Sequence, residues 1–136
     1  NHWGEPACLP TCPTGAIFKR ADNGVVDIDS TLCIGCRRCE ASCPFGAPQY
    51  NPETKTVVMC NMCIDELEAG RKPYWVMACM MRVLDVGPIE KIREGSYETK
   101  AIGPNDKVVR RVRNMADWQL TNPSIAFVPH SKAIIE

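Results

Sequence analysis

Short apolar runs broken by turn-forming residues dominate the chain, and none of them is long. Ala16 to Arg20 and Val25 to Asp29 are strand-like runs around Ala21-Asp-Asn-Gly24, a connection whose Asn-Gly pair predicts a β-hairpin. A second hairpin is predicted between Pro48–Tyr50 and Thr56–Met59, through Asn51-Pro-Glu-Thr54. Arg38 to Ser42 and Ile64 to Ala69 read as short helices, the latter stopped by Gly70. Pro88 to Glu94 reads as a helix opened by proline and ended at Gly95. The longest uncharged apolar run, Tyr74 to Met81, falls far short of the ~20 residues of a membrane-spanning helix. No signal-peptide pattern is expected at the start.

Composition sharpens this picture at one point. The 136 residues suit one small domain, or one domain with a tail, and 16 basic residues balance 16 acidic ones. That balance argues against binding driven by phosphate neutralisation. Apolar residues at 45% and charged ones at 24% argue against wholesale disorder. Aromatic residues are only 7%, thin material for a core, whereas cysteines number nine. Bound metal is the expected source of the missing folding free energy.

Nine is odd, so a closed disulfide framework would leave a thiol over. Cys33-Ile-Gly-Cys36-Arg-Arg-Cys39-Glu-Ala-Ser-Cys43-Pro44 crowds four thiols into eleven residues, too tightly to pair among themselves without severe strain. The run matches C-x2-C-x2-C-x3-C-P, the spacing of bacterial iron–sulfur ferredoxins. A tight loop can present thiolates at i, i+3 and i+6 to three irons of a cubane, with backbone N–H groups aimed at sulfide. Gly35 allows close backbone approach. The fourth cysteine is expected to start a helix heading away, with Pro44 redirecting the chain, and so to serve the other cluster of a two-cluster fold. Structural zinc on Cys33-x2-Cys36 and Cys60-Asn-Met-Cys63 is the alternative. It leaves Cys8, Cys12, Cys39, Cys43 and Cys79 unexplained.

The chain also repeats itself. Cys8-Leu-Pro-Thr-Cys12-Pro-Thr-Gly15-Ala16 aligns with Cys39-Glu-Ala-Ser-Cys43-Pro-Phe-Gly46-Ala47, both reading C-x3-C-P-x-G-A. Cys12 is thus expected to complete the site of Cys33, Cys36 and Cys39, while Cys43 joins Cys8 in a second, incomplete one. A weaker third copy runs from Cys60-x2-Cys63 to Cys79, with Trp75 where Cys39 stands and Met80 in place of proline. The chain opens on Asn1 rather than methionine, so further ligands are expected upstream.

The expected fold class is α+β: bacterial-type ferredoxin-like, with pseudo-twofold cluster repeats, short β-hairpins and short helices, plus an extended C-terminal tail. Residues 1–95 form the iron–sulfur domain, and 96–136 a tail that wraps a partner or returns over the core. The tail loses cysteine and gains a basic stretch, Lys107, Arg110, Arg111 and Arg113, suited to an acidic partner or lipid headgroups rather than nucleic acid. Arg37 and Arg38 flank the complete site, where positive charge would either favour a reduced cluster or form a solvated face or partner contact. His2 and His130 lack partners at ligand spacing. The methionines near the cysteines (Met59, Met62, Met77, Met80, Met81) read as soft packing around a cofactor. No Ser/His/Asp set, phosphate loop or paired carboxylates are evident, so no catalytic site of its own is expected.

These features together resemble the iron–sulfur electron-transfer (beta) subunits of the dimethyl sulfoxide reductase family of molybdopterin oxidoreductases. The likeness runs over Asn1 to Arg93 and is carried by Ala7 to Arg20, by Cys33 to Cys39 with Cys43-Pro-Phe-Gly-Ala-Pro-Gln-Tyr50, and by Arg82-Val-Leu-Asp-Val-Gly-Pro-Ile89. The resemblance implies electron transfer through [4Fe-4S] clusters in anaerobic respiration, between a molybdopterin-containing catalytic subunit and a membrane anchor linked to quinone. It implies a place peripheral to the prokaryotic cytoplasmic membrane. It also implies four cysteine groups, of which the first is missing here and the second lacks its opening cysteine. Trp3 and Trp75 then fall on ligand positions, where indole offers no lone pair for iron. A [3Fe-4S] cluster is implied at such a position, with an upstream cysteine joining Cys8 and Cys43. Cys60 and Cys63 would need a thiolate from the absent group, and Cys79 would serve that group's cluster. The alternative is a zinc-bound or cluster-poor scaffold for assembly, with the tryptophans filling vacated space.

Overall fold

The computed structural model describes residues 2–94, 96–99, 108–109, 119, 122 and 124–128. Its packing separates into two compact units, residues 1–61 with 116–124, and 62–115 with 125–136. The expected domain boundary at 95/96 and the basic stretch Lys107, Arg110, Arg111 and Arg113 fall largely or wholly outside the described residues, as do Gly95 and His130.

In the first unit, helix α1 (Cys8–Thr11) leads into strands β1 (Ile17–Lys19) and β2 (Val26–Ile28). Helix α2 (Arg38–Ser42) is followed by strands β3 (Gln49–Asn51) and β4 (Thr56–Val58). Both strand pairs are antiparallel hairpins, with Ile17 opposite Ile28 and Gln49 opposite Val58. These are the two predicted hairpins with trimmed ends. At the first turn, Gly24 adopts φ +70° and the Asn23 side chain accepts the Val25 N–H at 3.0 Å. Helix α2 occupies the predicted residues.

The helix expected to begin at the fourth cysteine is not there. Cys43 ends α2 instead, in extended conformation, its N–H donating back to Glu40 O. The Pro44 ring, which has no N–H to give, follows a helix already finished. Helix α1 was not foreseen: Cys-Leu-Pro-Thr is too short to show a period, although the repeat aligns it with α2. The two helices pack together, and the Thr11 hydroxyl donates to the Ser42 hydroxyl at 3.1 Å, a bond between positions 31 residues apart in the two copies.

The core of this unit is as much sulfur as hydrocarbon. Cys8, Cys39, Ile17, Val26 and Val57 are buried together, with Cys12, Cys33, Ile28, Tyr50 and Met59 packed around them. The segment at residues 2–4 is pinned to the first hairpin: His2 Nδ1 accepts the Val26 N–H at 3.0 Å, and the Lys19 ammonium donates to the carbonyls of Trp3 and Gly4. Burial holds the His2 imidazole down at about 4, so at neutral pH it is the acceptor this bond requires.

The second unit holds α3 (Ile64–Glu68), α4 (Tyr74–Met77) and α5 (Ile89–Glu94). Helix α3 ends at Glu68, one residue short of the predicted Ala69, and Gly70 just beyond takes φ +71°. Helix α4 was not foreseen in a run of aromatic and branched residues; Pro73 at its N-cap is the signal that could have found it. Glu66 is buried and takes two bonds from Arg71, at 2.6 and 2.9 Å, and one from the Tyr74 hydroxyl at 2.9 Å. Hydrogen bonds from Arg71 and then Tyr74 pull its carboxyl down to about 2 from the ordinary 4.5. A depressed carboxylate stabilises the fold above its unfolded value, and that contribution fades as pH drops from about 4.5 toward 2. Glu66→Gln should therefore lower the melting temperature by several degrees at pH 7. The gap between variant and parent should start to close below about pH 4.5, which thermal melts across pH would read.

Candidate iron–sulfur site

Cys12, Cys33, Cys36 and Cys39 line one open cavity in the first unit, together with Ile17, Ile28, Ile34, Arg37 and Val57. Each thiol arrives from a different local device. Cys12 sits in extended conformation just past α1, and Cys39 is buried within α2. Cys33 and Cys36 lie on the loop between hairpin and helix, where Gly35 adopts φ +67°. A Cβ on Gly35 would stand 2.3 Å from Lys55 O, so the loop can press against the second hairpin only with glycine there.

Thiols on a mainly apolar wall have the chemistry to hold a sulfur-bridged iron group. No three His, Cys, Asp or Glu side chains among the described residues converge closely enough to hold one metal ion. The four thiols are instead spread around a cavity whose remaining surface is mainly aliphatic. Sulfur also receives backbone N–H bonds: Val57 N–H donates to Cys33 Sγ at 3.4 Å, and Ala47 N–H to Cys43 Sγ at 3.3 Å. Burial acts upward on the Cys12 thiol. Hydrogen bonds from Thr14 and from the amides of Ile17, Thr14 and Ala16 outweigh it and lower its pKa. Burial raises the Cys39 thiol. All nine cysteines are free thiols.

The other predicted positions are distributed as follows. Cys8 is buried and its thiol is raised, chiefly by burial and further by the neighbouring Cys43. Trp3 is 4% exposed and meets Phe45 edge-on at 5.2 Å, two residues beyond Cys43. Cys60 is exposed, while Cys63 and Cys79 are partly buried. The Cys79 thiol is lowered, first by the Val83 amide and, against a burial effect, by those of Leu84, Arg82 and Met81. Trp75 lies partly buried in α4. Met59 packs on the core, but Met80 and Met81 are 93% and 80% exposed, so packing does not account for those two.

Three left-handed residues follow the last cysteine of each copy by three positions: Gly15 (φ +65°), Gly46 (φ +60°) and Arg82 (φ +54°). The third copy, faint in its letters, therefore keeps the local backbone of the first two. Sequence reasoning passed over Glu40, whose carboxylate accepts the Tyr50 N–H at 2.6 Å and a bond from Arg37 Nε at 2.5 Å. Its partners lie more than ten residues apart, with no pattern to join them.

Short helices and antiparallel hairpins folded around cysteine sulfur define a ferredoxin-like iron–sulfur protein. Residues 1–89 match the family described as 4Fe-4S dicluster domain, and the protein belongs to that family, whose cofactor is the [4Fe-4S] cluster. It is 38% identical over 133 residues to a chain of the anaerobic dimethyl sulfoxide reductase of Escherichia coli (strain K12), covering 98% of this chain and 60% of that one. It is 34% identical to a subunit of the sulfite dehydrogenase of Allochromatium vinosum, over 96% of this chain and 54% of that subunit. It is 42% identical to the formate dehydrogenase iron-sulfur subunit of Haemophilus influenzae, over 79% of this chain and 32% of the relative. The chain thus spans at most about six tenths of these relatives. Among the described residues, no helix is long and apolar enough to cross a membrane.

Proposed function

We propose that this chain relays single electrons between a molybdopterin-containing catalytic subunit and a membrane anchor subunit linked to quinone, as a peripheral part of a complex at the prokaryotic cytoplasmic membrane. The observation that carries this reading is the convergence of Cys12, from one copy, with Cys33, Cys36 and Cys39, from the other, on one cavity. When bound, a [4Fe-4S] cluster would supply one-electron redox chemistry there. The chain's own residues hold it: four thiolates as ligands, the Val57 amide directed at Cys33 sulfur, and aliphatic walls from Ile17, Ile28 and Val57 that limit water.

Cys8 and Cys43 are proposed as ligands of a second site beside Trp3, and Cys60, Cys63 and Cys79 as ligands of further ones. A pseudo-twofold arrangement of the first two copies is supported by the Thr11–Ser42 bond and by the matching backbone after Cys12 and Cys43. A tail that returns over the iron–sulfur domain is supported by the Gly4 N–H bond to Asn122 O at 2.9 Å. The relatives named above, subunits of reductases and dehydrogenases, support a catalytic subunit as partner.

Metal analysis with low-temperature EPR of anaerobically purified protein tests the reading. Iron at about four or more per chain with a reducible cluster signal is the expected result. Zinc in its place, with no iron, would sink it.

A further inference from the structure

We infer that Glu40 is a positioning residue that clamps Arg37 against Tyr50 at the edge of the four-cysteine cavity and offsets its charge there. It thereby sets the reduction potential of that site. The inference rests on the ligand assignment proposed above.

Arg37 follows Cys36 directly and takes a left-handed conformation (φ +62°) at the start of α2. This backbone choice is unfavourable for a side chain with a Cβ, so contacts must hold it. Glu40 supplies them with both oxygens, each doing a separate job. Oε2 accepts from Arg37 Nε at 2.5 Å, and Oε1 accepts the Tyr50 N–H at 2.6 Å. The Arg37 guanidinium carbon also lies 5.2 Å from the centroid of the Tyr50 ring, within cation–π range. That same ring abuts Gly35, where a Cβ would meet it at 3.1 Å. One carboxylate therefore ties the cysteine loop, the helix carrying Cys39 and the second hairpin together.

The two members also differ in place. Arg37 is among the residues that line the cavity, and Glu40 is not. Reduction adds one negative charge to the cavity. Arg37 favours that charge and Glu40 opposes it, by Coulomb's law. The Arg37 side chain is 63% exposed, so the ion pair contributes little to folding stability. A structural clip and an electrostatic control therefore differ in what they move.

The test is an EPR-monitored redox titration of the full chain and four variants. E40Q keeps an acceptor for Tyr50 but leaves Arg37 uncompensated, and should raise the midpoint. R37Q leaves Glu40 uncompensated and should lower it. Each should change the reduction equilibrium constant severalfold. The double variant should fall between the two singles, and R37K, which keeps the charge, should stay near the parent. Midpoints that coincide in all five proteins, or that move the same way in both singles, would overturn the inference while leaving the ligand assignment intact. Loss of the cluster in either single would mark the pair as a clip alone and overturn it too. A parent protein with no cluster signal would defeat the underlying assignment instead.

Discussion

Cys36→Ala should abolish the EPR signal of the four-cysteine site and remove one cluster's iron from the protein, with little cost in packing. Among the four proposed ligands, Cys36 is the exposed one, whereas Cys39 belongs to the buried core and Cys12 and Cys33 pack against it. Truncating Cys39 would open a cavity and confound lost ligation with lost burial. Alanine at 36 removes a thiolate from the open side and little else, so the spectrum reports coordination. Cys60→Ala provides the control. It deletes another exposed thiol, one that does not line this cavity, and should leave this signal in place. Unchanged spectra in Cys36→Ala would refute the ligand assignment.

Stripping the iron anaerobically with a chelator should have the larger effect, loss of cooperative structure in the first unit. Among the described residues, each of its four strands is three residues long, and helices α1 and α2 have four and five residues. Isolated two-stranded hairpins are marginal in water, and units this small need a staple. The shared core holds only Ile17, Val26 and Val57 as buried hydrocarbon, with partial help from Ile28, Tyr50 and Met59, while Trp3, Ala16 and Val25 are buried outside that cluster. The other members of the cluster are cysteines gathered around a cavity, and unliganded thiols there offer the elements no more than weak hydrogen bonds such as that from Val57 N–H to Cys33 Sγ. Circular dichroism of the apoprotein should show a broad or absent thermal transition, restored on rebuilding with iron and sulfide. An apoprotein that melts as sharply and as high as the parent would show that protein contacts suffice.

The site was legible because its chemistry constrains spacing. Four thiolates around one group demand short, fixed intervals, and C-x2-C-x2-C-x3-C-P advertises them, as does the second copy that supplies Cys12. The hairpins were legible through Asn23-Gly24 and through the polar link at 51–54. Other features depend on partners far along the chain. Lys19 reaching the carbonyls of Trp3 and Gly4, and Glu40 joining Arg37 to Tyr50, bear no local mark. Helices α1 and α4 were hidden because four residues make barely one turn. A helix was expected to start at Cys43, whereas the chain turns there and directs the Ala47 amide onto the sulfur.

That turn recurs at Arg82, where neither proline nor glycine eases the path. Left-handed geometry costs a residue with a Cβ roughly 1–2 kcal/mol, and Arg82 accepts it at φ +54°. Amides beyond it lower the Cys79 thiol much as those beyond Gly15 lower Cys12. The third motif thus makes the same bend without the residues that ease it in the first two, and its likeness to them is plainer in dihedral angles than in its alphabet.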